Sequence, residues 1–361
     1  MATFKAISSV DLTALINELQ PLVRGKLSNI YHLEDKEFLF QIHTKNGKQY
    51  LKVVAGKWLC LTTAKETPLK PSSFCAQLRK YLDNATINDI QQYNAERVVV
   101  ISLEKKEKFS LIIELFSKGN LILTDNHNNI ITLVERQIWK DRTLKPGEQY
   151  IFPASGTNWK TITEKEIAQL LSKSDKKNLA TALATELGLG GTYAEELCQR
   201  SSVDKNILPS EVTSAQYKKI FAALNSIKTD LLTPKGYVYT DQVIPFALQN
   251  STPLKTTATF SEALDGIIIT TKASPYQKKI ITFQKTIEDQ EESCTKQENA
   301  IKLNTQKGEL IYQQYTPLQK LLSIVKELRK SKDWSTVAVE LKKEKKIKVI
   351  NLKEKKIIID L

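Results

Sequence analysis

The sequence predicts an α+β chain. It reads as an N-terminal antiparallel β-sandwich with packed helices, a helical hairpin region, and a long coiled-coil helix with a small α/β tip. Three observations predict this. Short apolar or alternating runs separated by turn residues fill positions 26–134. Helical spacing with polar connectors takes over from about 160 to 230. After Pro275 there is no glycine or further proline until Gly308, and apolar residues recur every seven.

The elements follow in order. Ser8 or Ser9 caps a first helix near 10–23, whose Leu12, Leu15, Ile16 and Leu19 share a face; Pro21 and Gly25 close it. Strands are expected at 26–33, 37–44, 49–56 and 57–63, with Asn46-Gly47 as a hairpin turn. Pro68 and Pro71 interrupt. Ser72 or Ser73 then starts a helix over 72–84 with the apolar stripe Phe74, Cys75, Leu78, Tyr81 and Leu82. Five more strands, 85–92, 96–103, 109–116, 120–125 and 129–134, complete a domain over 1–155. In 156–235 the run ELGLGGTYAEEL ends one helix at Gly188, turns through Gly190-Gly191 and starts another at Thr192. That is a helix-hairpin-helix pattern, whose backbone N–H groups can approach a phosphate; an ordinary turn between two helices is the alternative. A short hairpin at 236–250 and a helix capped by Ser261 fill 236–274. The arm, 275–308, has a strong column of Ile280, Ile287, Cys294 and Ile301 and a weak one of Phe283, Gln290, Gln297 and Asn304. Its partner should be another antiparallel helix. The tip, 309–361, reads as a helix over 310–328, a Trp334 helix and two lysine-flanked strands.

Composition narrows the function. Hydrophobic residues at 41% and charged residues at 26% are ordinary for a folded chain, which excludes wholesale disorder. No apolar run approaches the roughly 20 residues that span a bilayer. The N-terminus lacks the pattern of a secretory signal. Four scattered cysteines without C-x-x-C, and three histidines without ligand spacing, point to a reducing cytosol rather than disulfides or zinc. No metal or cofactor is expected. A net charge of +13 favours polyanionic partners, against the blander reading of lysine as surface filler. Only seven of the 53 basic residues are arginines, at 24, 79, 97, 136, 142, 200 and 329. Where this chain spends an arginine, a planar bidentate fork is the natural requirement.

No catalytic constellation stands out: there is no G-x-S-x-G, P-loop, H-E-x-x-H or dinucleotide fingerprint. Three places are more than filler. Asp11 sits at a helix start, where complementing the helix dipole would alone explain it. Arg79-Lys80 is a pair of cations on a helix whose other face is apolar. Glu96-Arg97 precedes the apolar strand Val98–Ile101, where an acid can orient a guanidinium toward a phosphate or base; a rim salt bridge is the plain alternative.

Taken together, these segments resemble the NFACT family of ribosome quality-control factors, the NEMF and RqcH group with fibronectin-binding-protein-A-like members. The resemblance rests on S-x-V-D-L-x-A-L-x-x-E-L, I-Y, P-S-x-F-C-x-x-L-R-K-Y-L, Q-x-x-x-x-R-V-V and I-x-E-L-x-x-x-G-N-L-I-L-T-D. Further on it rests on L-K-P-G-E-Q-Y-x-F-P, Y-A-E-E-L, F-S-E-A-L-D and G-E-L-I-Y-Q-Q-Y, all in collinear order. It implies a cytoplasmic RNA-binding factor, not an enzyme. Such a factor binds the large ribosomal subunit with its stalled peptidyl-tRNA and recruits tRNA for template-free C-terminal tailing. Bond formation would fall to the ribosomal peptidyl transferase centre. The N-terminal domain would have a fold like formamidopyrimidine-DNA glycosylases and would contact tRNA together with the helix-hairpin-helix. The arm would reach the rRNA and stalk base.

The tRNA-binding set implied is Asp11, Arg79, Lys80, Glu96 and Arg97, with Gly188, Gly190 and Gly191 as phosphate-binding candidates. Arg97 would be well exposed, with Glu96, and Asp11 as a further candidate, near enough to steer it. Glu96 stands where the family has aspartate, one methylene shorter. The family's returning coiled-coil helix and C-terminal domain are not in the sequence. The resemblance therefore implies a shortened chain or a second chain that carries the C-terminal NFACT portion. The alternative is a DNA-repair protein on the glycosylase-like fold. Against it, Ala2-Thr3 replace the N-terminal proline and glutamate of such enzymes, and no four-cysteine zinc finger is present.

Overall fold

A computed structural model describes residues 6–34, 36–65, 71–139, 142–271, 277–341, 347–351 and 356–359. Ala2 and Thr3, Pro68 and Lys346 fall outside the described residues. The chain divides into two compact units, Met1–Ala273 and Ser274–Leu361.

The first unit opens with α1 (Ser9–Leu19). Ser8, not Ser9, caps it: its hydroxyl accepts from the Asp11 N–H at 3.1 Å, and the Asp11 carboxylate accepts from the Ser8 N–H at 2.8 Å. Pro21 starts a short 3-10 turn over Gln20–Leu22, and Arg24, at φ 69°, redirects the chain. Four strands follow: β1 (Lys26–Glu34), β2 (Glu37–Thr44), β3 (Gly47–Val54) and β4 (Trp58–Thr62). Thr44 pairs with Gly47 across the Asn46-Gly47 turn, where the glycine takes φ 98°. Ser72 caps α2 (Ser73–Leu82) by accepting from the Cys75 N–H. Then come β5 (Thr86–Gln92), β6 (Val98–Glu104), β7 (Lys108–Glu114), β8 (Asn120–Thr124) and β9 (Ile130–Leu133).

The sandwich expectation needs a refinement. All nine strands form one antiparallel sheet in the order β4-β3-β2-β1-β5-β6-β7-β8-β9. Its two halves are joined by a single strand pair, Lys26↔Thr86. Backbone bonds around that pair, such as Leu27 N–H to Ala85 O and Ile87 N–H to Gly25 O, hold the junction. The halves meet again at two turns: a Cβ on Gly119 would lie 2.0 Å from the Gly56 nitrogen, so only glycine fits there. Phe38, Phe40, Leu51 and Val53 from one half share a core with Val99, Ile101, Leu111 and Leu121 from the other. One sheet therefore does the work of two facing layers.

The other face of β6–β8 carries a smaller core of Val98, Val100, Ile112 and Ile122, closed by Tyr150 and Leu144. A short hairpin, β10 (Gln137–Ile138) and β11 (Thr143–Leu144), borders it. Burial on both faces explains why these strands read as nearly continuous apolar runs.

Helices dominate the next stretch, as expected: α3 (Glu164–Ser172), α4 (Leu179–Thr185), α5 (Gly191–Ser201) and α6 (Ser214–Asp230). A small sheet of β12 (Gly236–Val238), β13 (Val243–Ile244) and β14 (Lys255–Thr257) precedes α7 (Phe260–Thr271). Ser261 does not cap α7. Thr259 does, through the Glu262 N–H, while Ser261 turns its hydroxyl to the Leu61 N–H on β4 at 3.2 Å. The Glu18 carboxylate of α1 accepts from the Phe260 and Ser261 N–H groups, acting as a cap supplied from another helix. The expected segments 1–155, 156–235 and 236–274 all lie within this one unit, and residues of each, such as Leu15, Leu183 and Phe260, line the same core.

The second unit consists of α8 (Gln277–Gln313), α9 (Tyr315–Ser331), α10 (Trp334–Leu341) and the antiparallel pair β15 (Ile347–Asn351) and β16 (Lys356–Ile359). The 37-residue α8 runs straight through Gly308. Along it Ile287 and Ile301 are 52% and 64% exposed, and Cys294 is exposed as well. The side chain of Ile280 lies outside the described ones. The small core here is Val325, Val337 and Leu341, with Leu328, Ile347 and Ile357 against it.

Candidate functional site

The N-terminus of α1, the β5–β6 turn, the 155–160 loop and the first turn of α5 converge through a chain of hydrogen bonds. Asp11 is 8% exposed. Its carboxylate accepts from the Ser8 N–H and from the Tyr193 hydroxyl on α5. Burial pushes the Asp11 carboxyl above its usual range; the Tyr193 and Ser8 hydrogen bonds pull the other way. Burial, with Asp11 beside it, raises the Tyr193 phenol well above its ordinary value.

Next to Asp11, Ser9 faces the turn. Its hydroxyl donates to the Ala95 carbonyl and accepts from the Trp159 indole N–H at 3.0 Å. The Gln92 amide N–H₂ reaches the Ser9 carbonyl at 3.1 Å and the Glu96 carbonyl at 3.0 Å. The Gln92 amide oxygen accepts from Thr13 at 2.6 Å and from the Lys160 ammonium at 3.3 Å. Two carbonyls of the turn carrying Glu96 and Arg97, those of Ala95 and Glu96, are thus held by Ser9 of α1 and by Gln92 of β5.

Arg97 is half-buried rather than well exposed. Burial lowers the affinity of its guanidinium for the proton, partly offset by the field of Glu96. Glu96 forms no direct ion pair with it. One Glu96 carboxylate oxygen instead accepts from the Gly156 N–H at 2.8 Å, so the acid acts on Arg97 only through its field.

Four arginines are half-buried: 79, 97, 142 and 200. Arg142 is bonded to Glu114 at 2.7 Å, and Arg200 to Glu196 and Asp230 at 2.7 and 2.6 Å. Arg79 donates twice to the Ile30 carbonyl, at 2.9 and 2.5 Å, and lies over the Tyr31 ring. Among the described residues, Arg97 alone of the four has a guanidinium with no hydrogen bond or ion pair.

The other candidates divide. The glycine turn joins the network: Gly188 and Gly190 take φ 78° and 83°, and α5 begins at Gly191 with no side chain capping its N–H groups. Open space surrounds the α-carbons of Gly188, Gly190 and Gly191. Tyr193, two residues into α5, links this turn to Asp11. Arg79 and Lys80 do not join. Arg79 is committed to β1, and Lys80 is exposed over the Tyr81 ring.

Sequence reasoning missed Gln92, Trp159, Lys160 and Tyr193. Tyr193 stands inside the ELGLGGTYAEEL run and Gln92 opens the Q-x-x-x-x-R-V-V motif, so both were within reach; Trp159 and Lys160 carry no local signal. Lys160 lines a cleft of about 520 Å³ with Gln91, Gln92, Asn94, Asn158 and Phe152. Burial pulls its ammonium down to about 8. A second cavity of about 390 Å³ holds Arg200, which its own carboxylates already neutralise. A half-buried fork left unpaired can receive an anion or a planar acceptor, and hydrogen bonds through Gln92 and Tyr193 tie its turn to Lys160 and to α5. Among the described residues no cluster of His, Cys, Asp and Glu could hold a metal, and no helix is long and apolar enough to cross a membrane.

Comparison with known proteins gives a consistent pattern. The archaeal Rqc2 homolog aRqcH of Methanocaldococcus jannaschii is 28% identical, over 96% of this chain and 56% of that protein. The Rqc2 homolog RqcH of Streptococcus pneumoniae is 30% identical, over 70% of this chain and 45% of that protein. This chain therefore spans about half the length of these relatives. The solved N-terminal part of the fibronectin/fibrinogen-binding protein of Streptococcus suis shares the fold, with a TM-score of 0.61, 22% identity, and coverage of 73% of this chain and 99% of that one. The family model described as NFACT N-terminal and middle domains matches residues 8–359, nearly the whole sequence, and the chain belongs to that family.

Proposed function

We propose that this chain is the tRNA- and large-subunit-binding part of a ribosome quality-control factor, recruiting tRNA to stalled peptidyl-tRNA complexes for template-free C-terminal tailing. Its partners are then tRNA, peptidyl-tRNA and the rRNA and stalk base of the large subunit, in the cytoplasm. It is a binding protein, with bond formation left to the ribosomal peptidyl transferase centre. The sheet-and-helix body is, in this reading, a glycosylase-like fold put to RNA binding. The α4–α5 pair with its glycine turn is a helix-hairpin-helix, and α8 is one strand of a coiled-coil arm that a second chain or segment completes.

The observation that carries the reading is Arg97. A half-buried guanidinium without a partner keeps five donors for something outside the chain. The +13 net charge supplies the long-range attraction for a polyanion. Relatives named as ribosome quality-control proteins supply the context.

Titration of tRNA at two salt concentrations tests it. Arg97→Ala is expected to weaken binding by about 1–3 kcal/mol with an unchanged melting curve. Arg97→Lys restores only part, because a point charge does not replace a planar fork. Unchanged affinity for Arg97→Ala would remove this residue from the interface. Sedimentation with purified large subunits, with and without tRNA, tests the ribosomal half of the reading.

A further inference from the structure

The hydrogen bonds around Arg97 begin on a different helix. Tyr193 of α5 donates to Asp11, and Asp11 closes the cap that fixes Ser8 and Ser9. Ser9 holds the Ala95 carbonyl, and Gln92 holds Ser9 on one side and the Glu96 carbonyl on the other. Arg97 follows Glu96 directly in the chain. There is thus an unbroken path of named contacts from the Tyr193 ring to the peptide that aims Arg97.

Asp11 is poorly placed to touch RNA itself. It is 8% exposed, and both carboxylate oxygens already have donors from within the chain. A buried carboxylate kept in place by two donors is a strut, and RNA would bring it phosphate charge of its own sign. Tyr193 is as deeply buried, 3% exposed, and tilts against Phe246, so its ring has one stable place.

We propose that Tyr193 is a positioning residue for tRNA binding, which sets the aim of Arg97 through Asp11, Ser9 and Gln92, and that Asp11 serves binding through this path and not by contact with RNA. The inference rests on the tRNA-binding reading of Arg97. It adds that the helix after the glycine turn and the arginine at the β5–β6 turn are one device.

A cycle of variants tests it, with tRNA affinity as the readout and thermal melting as the control. Tyr193→Phe keeps the ring and removes only the hydroxyl. It is expected to weaken tRNA binding about tenfold (~1.4 kcal/mol) in the otherwise intact chain. In an Arg97→Ala background the same change is expected to cost almost nothing, because the group it aims is gone. Asp11→Asn, which keeps an acceptor for the Ser8 N–H, should behave as Tyr193→Phe does. A merely structural role gives the same loss in both backgrounds and overturns the proposal. So does an Asp11→Asn loss that survives in Arg97→Ala while Tyr193→Phe is silent, which marks direct contact of Asp11 with RNA. Failure of the whole chain to bind tRNA would overturn the tRNA reading and this inference with it. Binding that needs Arg97 but ignores Tyr193→Phe overturns this inference alone.

Discussion

A half-buried ammonium group holds its proton poorly. Lys160 is in that position, with burial as the cause, and its ordinary value of 10.5 falls to about 8. The sign follows for two measurements. Between about 8 and 10.5 the folded chain binds fewer protons at Lys160 than the unfolded chain. The destabilisation from burying its charge is therefore complete below pH 8 and is relieved as pH rises through that window. Anion binding runs the other way, since the charge that attracts phosphate is lost as pH rises through 8. tRNA affinity is expected to fall several-fold between pH 7 and 9, and Lys160→Arg should flatten that dependence, because a guanidinium keeps its proton there. An unchanged pH profile in Lys160→Arg would exclude Lys160 from the interface. Sequence alone had no access to this residue. Lys160 is one lysine among many, and its burial comes from a loop brought against β5 by distant contacts. Arg97 was legible because arginine is scarce here, and Asp11 because it stands at a helix start. That Asp11 is buried under Tyr193 depends on a contact 182 residues away in sequence, beyond any local pattern.

At the level of single elements, local chemistry was mostly sufficient. Turn glycines, serine caps and alternation placed α1, α2 and all nine strands of the large sheet, since those signals act within a few residues. The cap of α7 went to Thr259 instead of Ser261 because tertiary contacts with Leu61 and Glu18 claimed the neighbourhood. The same competition decides α2. Its cations Arg79 and Lys80 read as one pair from sequence, yet Arg79 clamps the helix to β1 through the Ile30 carbonyl. Cys75 donates to the same carbonyl at 2.9 Å. A hydrogen bond from a charged group contributes about 1.5–3 kcal/mol when half-sheltered. Arg79→Ala is accordingly expected to lower the melting temperature by several degrees while tRNA affinity stays near that of the unaltered chain. Loss of affinity without loss of stability would return Arg79 to the interface.

Across the whole molecule, the two units differ in how they use apolar residues. The first encloses them in a sheet closed on itself at Lys26↔Thr86 and Gly56–Gly119. The second leaves Ile287 and Ile301 in water along α8. Exposed side chains contribute little to folding, so Ile287→Gln with Ile301→Gln is expected to change stability by less than about 0.5 kcal/mol in thermal melts. A larger loss would mean that the stripe is covered within this chain. The heptad column was legible as a pattern, whereas what faces it is not written in the column itself. The first unit has a further consequence, which concerns its own synthesis. Two carboxylates of α1, Asp11 and Glu18, find their donors on Tyr193 and on Phe260, 182 and 242 positions later. At usual rates of translation the second donor emerges roughly 10–50 s after the first helix has been made. Until Tyr193 is made this helix has neither anchor, and from then until Phe260 follows it still lacks the second, so the apolar surface that α7 will cover stays open to whatever waits at the ribosomal exit.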